Sequence, residues 1–201
     1  MASSAAPYGL KPLNLIGGQP YAGSTRQIKI ASGYGTNIFN GSIVAIVAGG
    51  TIEIVTTNGD NSTPFPAGTI GVFVGCTYTD PNSKQKLFSQ YWPTGTVASD
   101  AMAYVVDDPD CLFQVQADGA VTQADLGQNT HLAAVQSTST GSTTTGNSTS
   151  AVTATTNTTS GFAFRIVDFV DAPGSEIGDA ATDLIVKFNP DAHSYTNKTG
   201  I

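Results

Sequence analysis

The chain has 201 residues, of which 40% are hydrophobic and only 11% charged, with a net charge of −7. A globule of this length buries roughly 70% of its unfolded surface, so a full hydrophobic core is available. The charged fraction is less than half of the usual figure of about 25%, leaving Ser, Thr, Asn and Gly to keep the surface wet. The eight Lys and Arg residues stand singly along the chain, which excludes a basic patch able to neutralise several phosphates and so a direct nucleic-acid role. No run approaches the roughly 20 apolar residues of a membrane helix. The opening Met1-Ala2-Ser3-Ser4 has neither a basic region nor an apolar one, so synthesis in a cytoplasm without a cleaved leader is expected.

Residues 1–25 read as an extended arm. Pro7, Pro12, the pair Gly17-Gly18 and Pro20 break any regular helix. Tyr8, Leu10, Leu13, Leu15, Ile16 and Tyr21 are too many apolar side chains for a solvated tail. They need a surface to lie on, either the arm's own domain or a neighbouring subunit to which the arm adds a strand. Both options stand at this point.

Residues 26–201 read as a single β domain. Gln27–Ile30 alternates, Ser42–Val47 is a β-branched run, and Gly49-Gly50 turns it into Thr51–Thr56, which makes a hairpin. After the turn cluster at Asn58–Asn61, Thr69–Tyr78 is nearly continuous in apolar residues and reads as a buried strand. Asp80-Pro81-Asn82 then turns the chain so that Lys86–Trp92 pairs back before Pro93. Ala101–Val106 and Leu112–Gln116 flank Asp107-Asp108-Pro109-Asp110 as a second hairpin-like unit. Thr122–Leu126 fits a single helical turn capped by Thr122, with Asp125 at the capping-box position. Gly161–Val170 and Asp183–Phe188 are two last strands, joined through Ala172-Pro173-Gly174. Eight to ten short strands with frequent turns predict an all-β protein, an antiparallel sandwich or barrel with at most one or two short helical turns.

Residues 137–160 depart from this pattern, since 17 of the 24 are Ser or Thr. The segment reads as an exposed insertion, either a low-complexity loop or a flat hairpin.

Little in the chain points to bond-making chemistry. Asp107, Asp108 and Asp110 form the one dense carboxylate group, but Pro109 makes a turn the simpler account, and the spacing lacks the Gly and distal Glu of a calcium loop. His131 and His193 have no Ser or Cys beside them in a nucleophile pattern. Cys76 and Cys111 form no CxxC motif and read as reduced, buried thiols. Gly33-Tyr34-Gly35 completes no phosphate fingerprint. The expectation is a non-enzyme without cofactor or metal. Sequons begin at Asn61, Asn147, Asn157 and Asn197, as chance provides in a chain this rich in Ser and Thr. Tyr8, Tyr21, Tyr91, Trp92 and Tyr195 could stack on sugars, though packing in cores and interfaces is the commoner use of such rings.

Three segments carry a family resemblance: Ala6–Pro12 with Gly18–Gly23, Gly71–Tyr78 running to Trp92-Pro93, and Asp183–Pro190 with His193-Ser194-Tyr195. Together they resemble virion structural proteins of tailed phages, including cyanophages and marine phages, whose members act as capsid decoration or cement proteins. The resemblance implies a homotrimer on the outer capsid surface of the virion, binding the major capsid protein and stabilising the shell against internal DNA pressure. On that reading Tyr8, Leu10, Leu13 and Tyr21 are the expected capsid contacts, with Phe73, Tyr91 and Trp92 in the trimer interface or the core. The alternative is a phage appendage or surface adhesin that binds a host receptor or glycan.

Overall fold

A computed structural model describes residues 4–170, 172–173 and 175–201. Met1–Ser3 of the predicted arm and Gly174 of the predicted Ala172-Pro173-Gly174 turn lie outside the described residues. Among the described residues eleven strands form two antiparallel sheets that pack as a sandwich and do not close into a barrel.

The first sheet contains β1 (Lys11–Leu15), β8 (Cys111–Gln116), β11 (Asp183–Phe188), β10 (Phe164–Phe169) and β9 (Asn129–Thr130), in that spatial order. The second runs β2 (Arg26–Lys29), β7 (Met102–Val106), β5 (Thr69–Thr79), β3 (Ile43–Ile46) and β4 (Ile52–Ile54), and β6 (Lys86–Ser89) also pairs with β5. β5 is long enough to take two partners on one side, β3 along its first half and β6 along its second. An extra residue at Ile70 bulges it within the β3 pairing, and another at Val74 bulges it against β7 on its other edge. Gly71 makes this possible: its φ is +139°, and a Cβ there would lie 2.0 Å from the Val106 carbonyl oxygen.

The centre of the second sheet, β3, β5 and β7, is buried on both faces, whereas β2 and β6 are largely exposed. Ile43, Ala45, Val72 and Val106 point into the core between the sheets, where they meet Phe113, Val115, Phe164, Leu184, Val186 and Phe188. Val44, Ile70, Phe73 and Val105 alternate with them and point away, into a second cluster with Ile30, Ile38, Ile52 and Trp92. Loop residues 31–38 and 92–101 close this second cluster. Trp92 Nε1 donates to the Tyr34 carbonyl, and the Tyr34 hydroxyl accepts the Ile54 N–H. Two buried faces account for the near-continuous apolar runs of β3 and β5.

The hairpin predicted over Ala101–Gln116 is not one. β7 pairs with β2 and β5, whereas β8 pairs with β1 and β11 in the other layer. Residues 107–110 therefore arch from sheet to sheet, since Val106 and Phe113 enter the shared core from opposite sides. The predicted helical turn is a 3-10 turn over Gln123–Asp125, with the Asp125 carboxylate accepting the Thr122 N–H at 2.9 Å.

The Ser/Thr-rich segment is exposed only in part. Ser148, Ser150, Val152 and Thr153 are buried. Its backbone is stitched to the sandwich by Ser148 N–H to Asn40, Val152 N–H to Gln116 and Thr153 N–H to His131. Just before it, Gln136 is 1% exposed and acts like a strand in miniature. Its amide oxygen accepts the Ile43 N–H at 2.8 Å, and its amide nitrogen donates to the Ile43 and Val55 carbonyls.

Candidate functional site

The predicted arm is built into the first sheet. β1 pairs antiparallel with β8, matching Lys11 to Gln114 and Leu15 to Cys111, and its other edge is partly covered where the chain returns at Pro20. Leu10 is fully buried in the core between the sheets, so the expectation that it contacts a capsid is corrected: its side chain has no free surface. Gly9 sits in a tight crossing, where an added Cβ would meet Ser148 and Gly41 at 2.7 and 2.8 Å. Ahead of it, Gln116 binds the Ala6 N–H and the Ser4 carbonyl. With its backbone bonded to β8, this stretch is not a free template for a capsid strand.

The other predicted contacts fare differently. Leu13 is exposed, and Tyr8 and Tyr21 are half-buried. The Tyr8 hydroxyl faces Asp183 and Gln114 without reaching hydrogen-bond geometry; burial raises its pKa, and the Asp183 charge adds to this. Phe73 and Trp92 are fully buried in the second cluster and unavailable to a trimer interface. Tyr91 is half-buried and stacks on Phe39, with ring centroids 5.6 Å apart.

Apart from β6, where Phe88 is 78% exposed, two open surfaces stand out among the described residues. The first is the outer face of the β1-β8-β11-β10-β9 sheet. Leu112, Ile185 and Val167 point away from the core there, are half-buried and belong to neither cluster. Arg165 and Lys187 share the face. Ile16, 52% exposed at the tip after β1, joins Val167 and both cations around a recess of about 320 Å³.

The second is a groove of about 530 Å³ where the arm meets the turn after β6 and the Ser/Thr-rich segment. Tyr8, Lys11 and Tyr21 come from the arm, Asn40 and Val74 from the second sheet and its flank, Gln90 from the turn, and Asn147 from the Ser/Thr-rich segment. The Lys11 ammonium lies 3.9 Å from the Tyr8 ring centroid. Gln90 Nε2 donates to Asn147 Oδ1 at 2.6 Å, and the Tyr21 hydroxyl donates to the Ser24 carbonyl. As members of a groove Lys11, Gln90 and Asn147 carried no signal in the sequence, because five separate segments have to meet before the groove exists.

The remaining candidates are occupied by the fold itself. Asp107 pairs with Arg26 at 2.5 Å and accepts the Tyr195 hydroxyl, Asp110 pairs with Lys187 at 3.1 Å, and Asp108 accepts the Asp110 N–H. Among the described residues no group of three or more His, Cys, Asp or Glu is placed to hold a metal ion. His193 is buried beside Phe188 and Tyr195, and burial lowers its pKa. His131 packs edge-on against Phe162. Cys76 and Cys111 are free, buried thiols whose pKa values burial pushes up to about 12.

Compared with protein-family models, curated proteins and solved structures, the chain finds no match in any of the three.

Proposed function

We propose that this chain is a virion structural protein that decorates the outside of a tailed-phage capsid and braces the shell without a chemical step. The observation that supports this reading best is the inequality of the two sheets. One is covered on both faces by its own chain at its centre, β3, β5 and β7, whereas the outer face of the other carries half-buried Leu112, Ile185 and Val167 on its central strands, beside exposed Ile16. On this face Leu112 lies beside Lys187 and Arg165, and Ile185 lies between Gln114 and Asp168, a mix of apolar and polar side chains of the kind a protein partner covers. The partner in this proposal is the major capsid protein, and three copies of the chain sit together so that weak contacts add by effective concentration.

The test is to mix the purified protein with capsids lacking it and measure sedimentation together with shell rupture temperature. The expected result is near-stoichiometric binding and a higher rupture temperature. Ile185→Glu and Ile16→Glu should lose both effects while unfolding as the parent protein does. Failure of the unaltered protein to bind shells, or full binding by the two variants, refutes the proposal or its surface respectively. A monomeric mass in solution and on the shell refutes the trimer.

A further inference from the structure

The groove between the arm and the Ser/Thr-rich segment has a chemistry of its own, which depends on neither capsid docking nor host adsorption. Its size falls in the range of small-molecule sites, roughly 300–1,000 Å³. Its apolar surface comes largely from Tyr8, Tyr21 and Val74, and its polar surface from the amides of Asn40, Gln90 and Asn147. Planar amides offer a donor and an acceptor side by side, the pattern that neighbouring sugar hydroxyls require. The bond from Gln90 to Asn147 leaves the Gln90 carbonyl oxygen and the Asn147 NH₂ with capacity to spare. Tyr21 is held in place through its hydroxyl on Ser24, so its ring is a fixed platform.

Charge narrows the ligand further. Among the described residues Lys11 is the one charged side chain lining the groove, in a chain of net charge −7, and its ammonium makes no ion pair with any of them. Among the described residues no carboxylate lines the groove, and hydrolysis of a glycosidic bond ordinarily needs two. Strand addition by a peptide is poorly served on this side. Pro12 contributes no N–H, and the return at Pro20 already bridges to Asn14.

We infer that the groove of Tyr8, Lys11, Tyr21, Asn40, Gln90 and Asn147 binds, without cleaving, a short acidic saccharide, its sugar ring on Tyr21 and its carboxylate on Lys11. The experiment is a chemical-shift titration of the full chain with two probes, a tetra-uronate and cellotetraose, each taken to 10 mM. The tetra-uronate should shift resonances of the groove residues and bind at least tenfold more tightly than the neutral sugar. Gln90→Ala, at an exposed position, should weaken uronate binding several-fold with the rest of the spectrum unchanged, and Lys11→Gln should abolish the preference for the acidic probe. The inference is overturned if neither probe shifts the groove, or if the affinity ignores both substitutions. It is overturned equally if purified capsid protein, and no saccharide, shifts these residues, because the groove is then a protein interface. Failure of shell binding leaves these outcomes untouched, so the two proposals fall separately.

Discussion

Truncating Leu10 to Ala separates an arm that is part of the core from one that rests on a partner. The side chain is 0% exposed and lies with Phe113, Val115 and Val152 in the core between the sheets. Removing it leaves a cavity that the rigid crossing at Gly9 cannot collapse to fill, so the cost should fall in the range of about 2–5 kcal/mol seen for buried Leu→Ala changes. For a chain of this length each kcal/mol lowers Tm by about 2–4 °C, which gives a drop of about 4–20 °C in the isolated protein. Leu13, 37% exposed three residues on, is the internal control, and its truncation should stay within about 0.5 kcal/mol. Urea unfolding of both variants, read as a shift in midpoint at constant slope, is the measurement. Equal and negligible effects would refute the burial argument and return the arm to the status of a separable appendage.

Four further outcomes follow, three from buried groups and one from Asp60 at the surface. Gln136→Ala deprives the Ile43 N–H and the Val55 carbonyl of their amide partner, and at about 1–3 kcal/mol for each orphaned group should cost about 2–6 kcal/mol in the same urea assay. The lowered pKa of His193 means that below its ordinary value of 6.5 the unfolded chain takes up a proton that the folded chain refuses. Stability should therefore be full above pH 6.5 and decline as pH falls, and His193→Gln should flatten this slope; an unchanged slope between pH 6.5 and 5 sinks the assignment. Asp60, held at about 2 chiefly by the Thr63 N–H, has the same sign in a lower window, its contribution lost as pH falls from about 4 towards 2. Both thiols should resist a disulfide reagent at pH 8 in the native protein and react fully in denaturant, and rapid native labelling of either would contradict their burial.

The legible parts of the fold were those whose signal is local. Alternation and turn residues predicted the β3–β4 hairpin and the pairing of β6 with β5, because register and turn lie within a few residues of each other, and local apolar patterning predicted the last two strands. The arch at 107–110 failed for the same reason: Asp-Asp-Pro-Asp turns a chain equally well within a sheet or between two, and the choice was made by the distant pairing of β8 with β1 and β11. The Ser/Thr-rich segment misled through composition. Buried Ser148, Ser150 and Thr153 have the same letters as solvated ones, and burial is possible because backbone bonds to Asn40, Gln116, His131 and Gly9 satisfy the segment's main chain. Tyr8 and Tyr21 were singled out as capsid anchors, whereas the groove they line depends on Gln90 and Asn147, more than 60 residues away in sequence.

These placements change what an experiment on the arm can mean. Deleting residues 1–23 removes β1, empties the Leu10 site and uncovers the edge of β8. A truncated protein that fails to bind a shell has therefore lost its fold along with its arm, and the loss says nothing about contact. The informative changes leave the core alone and reverse the character of outward side chains: Ile16 and Ile185 on the open sheet face, Lys11 and Gln90 in the groove. Pro7, Pro12 and Pro20 are consistent with this arrangement, since they suit a segment that crosses a core entrance, pairs briefly and turns back. The same proline and glycine pattern that suggested a free arm belongs to a segment whose stability the whole domain shares, and its functional surface is the part the domain leaves uncovered.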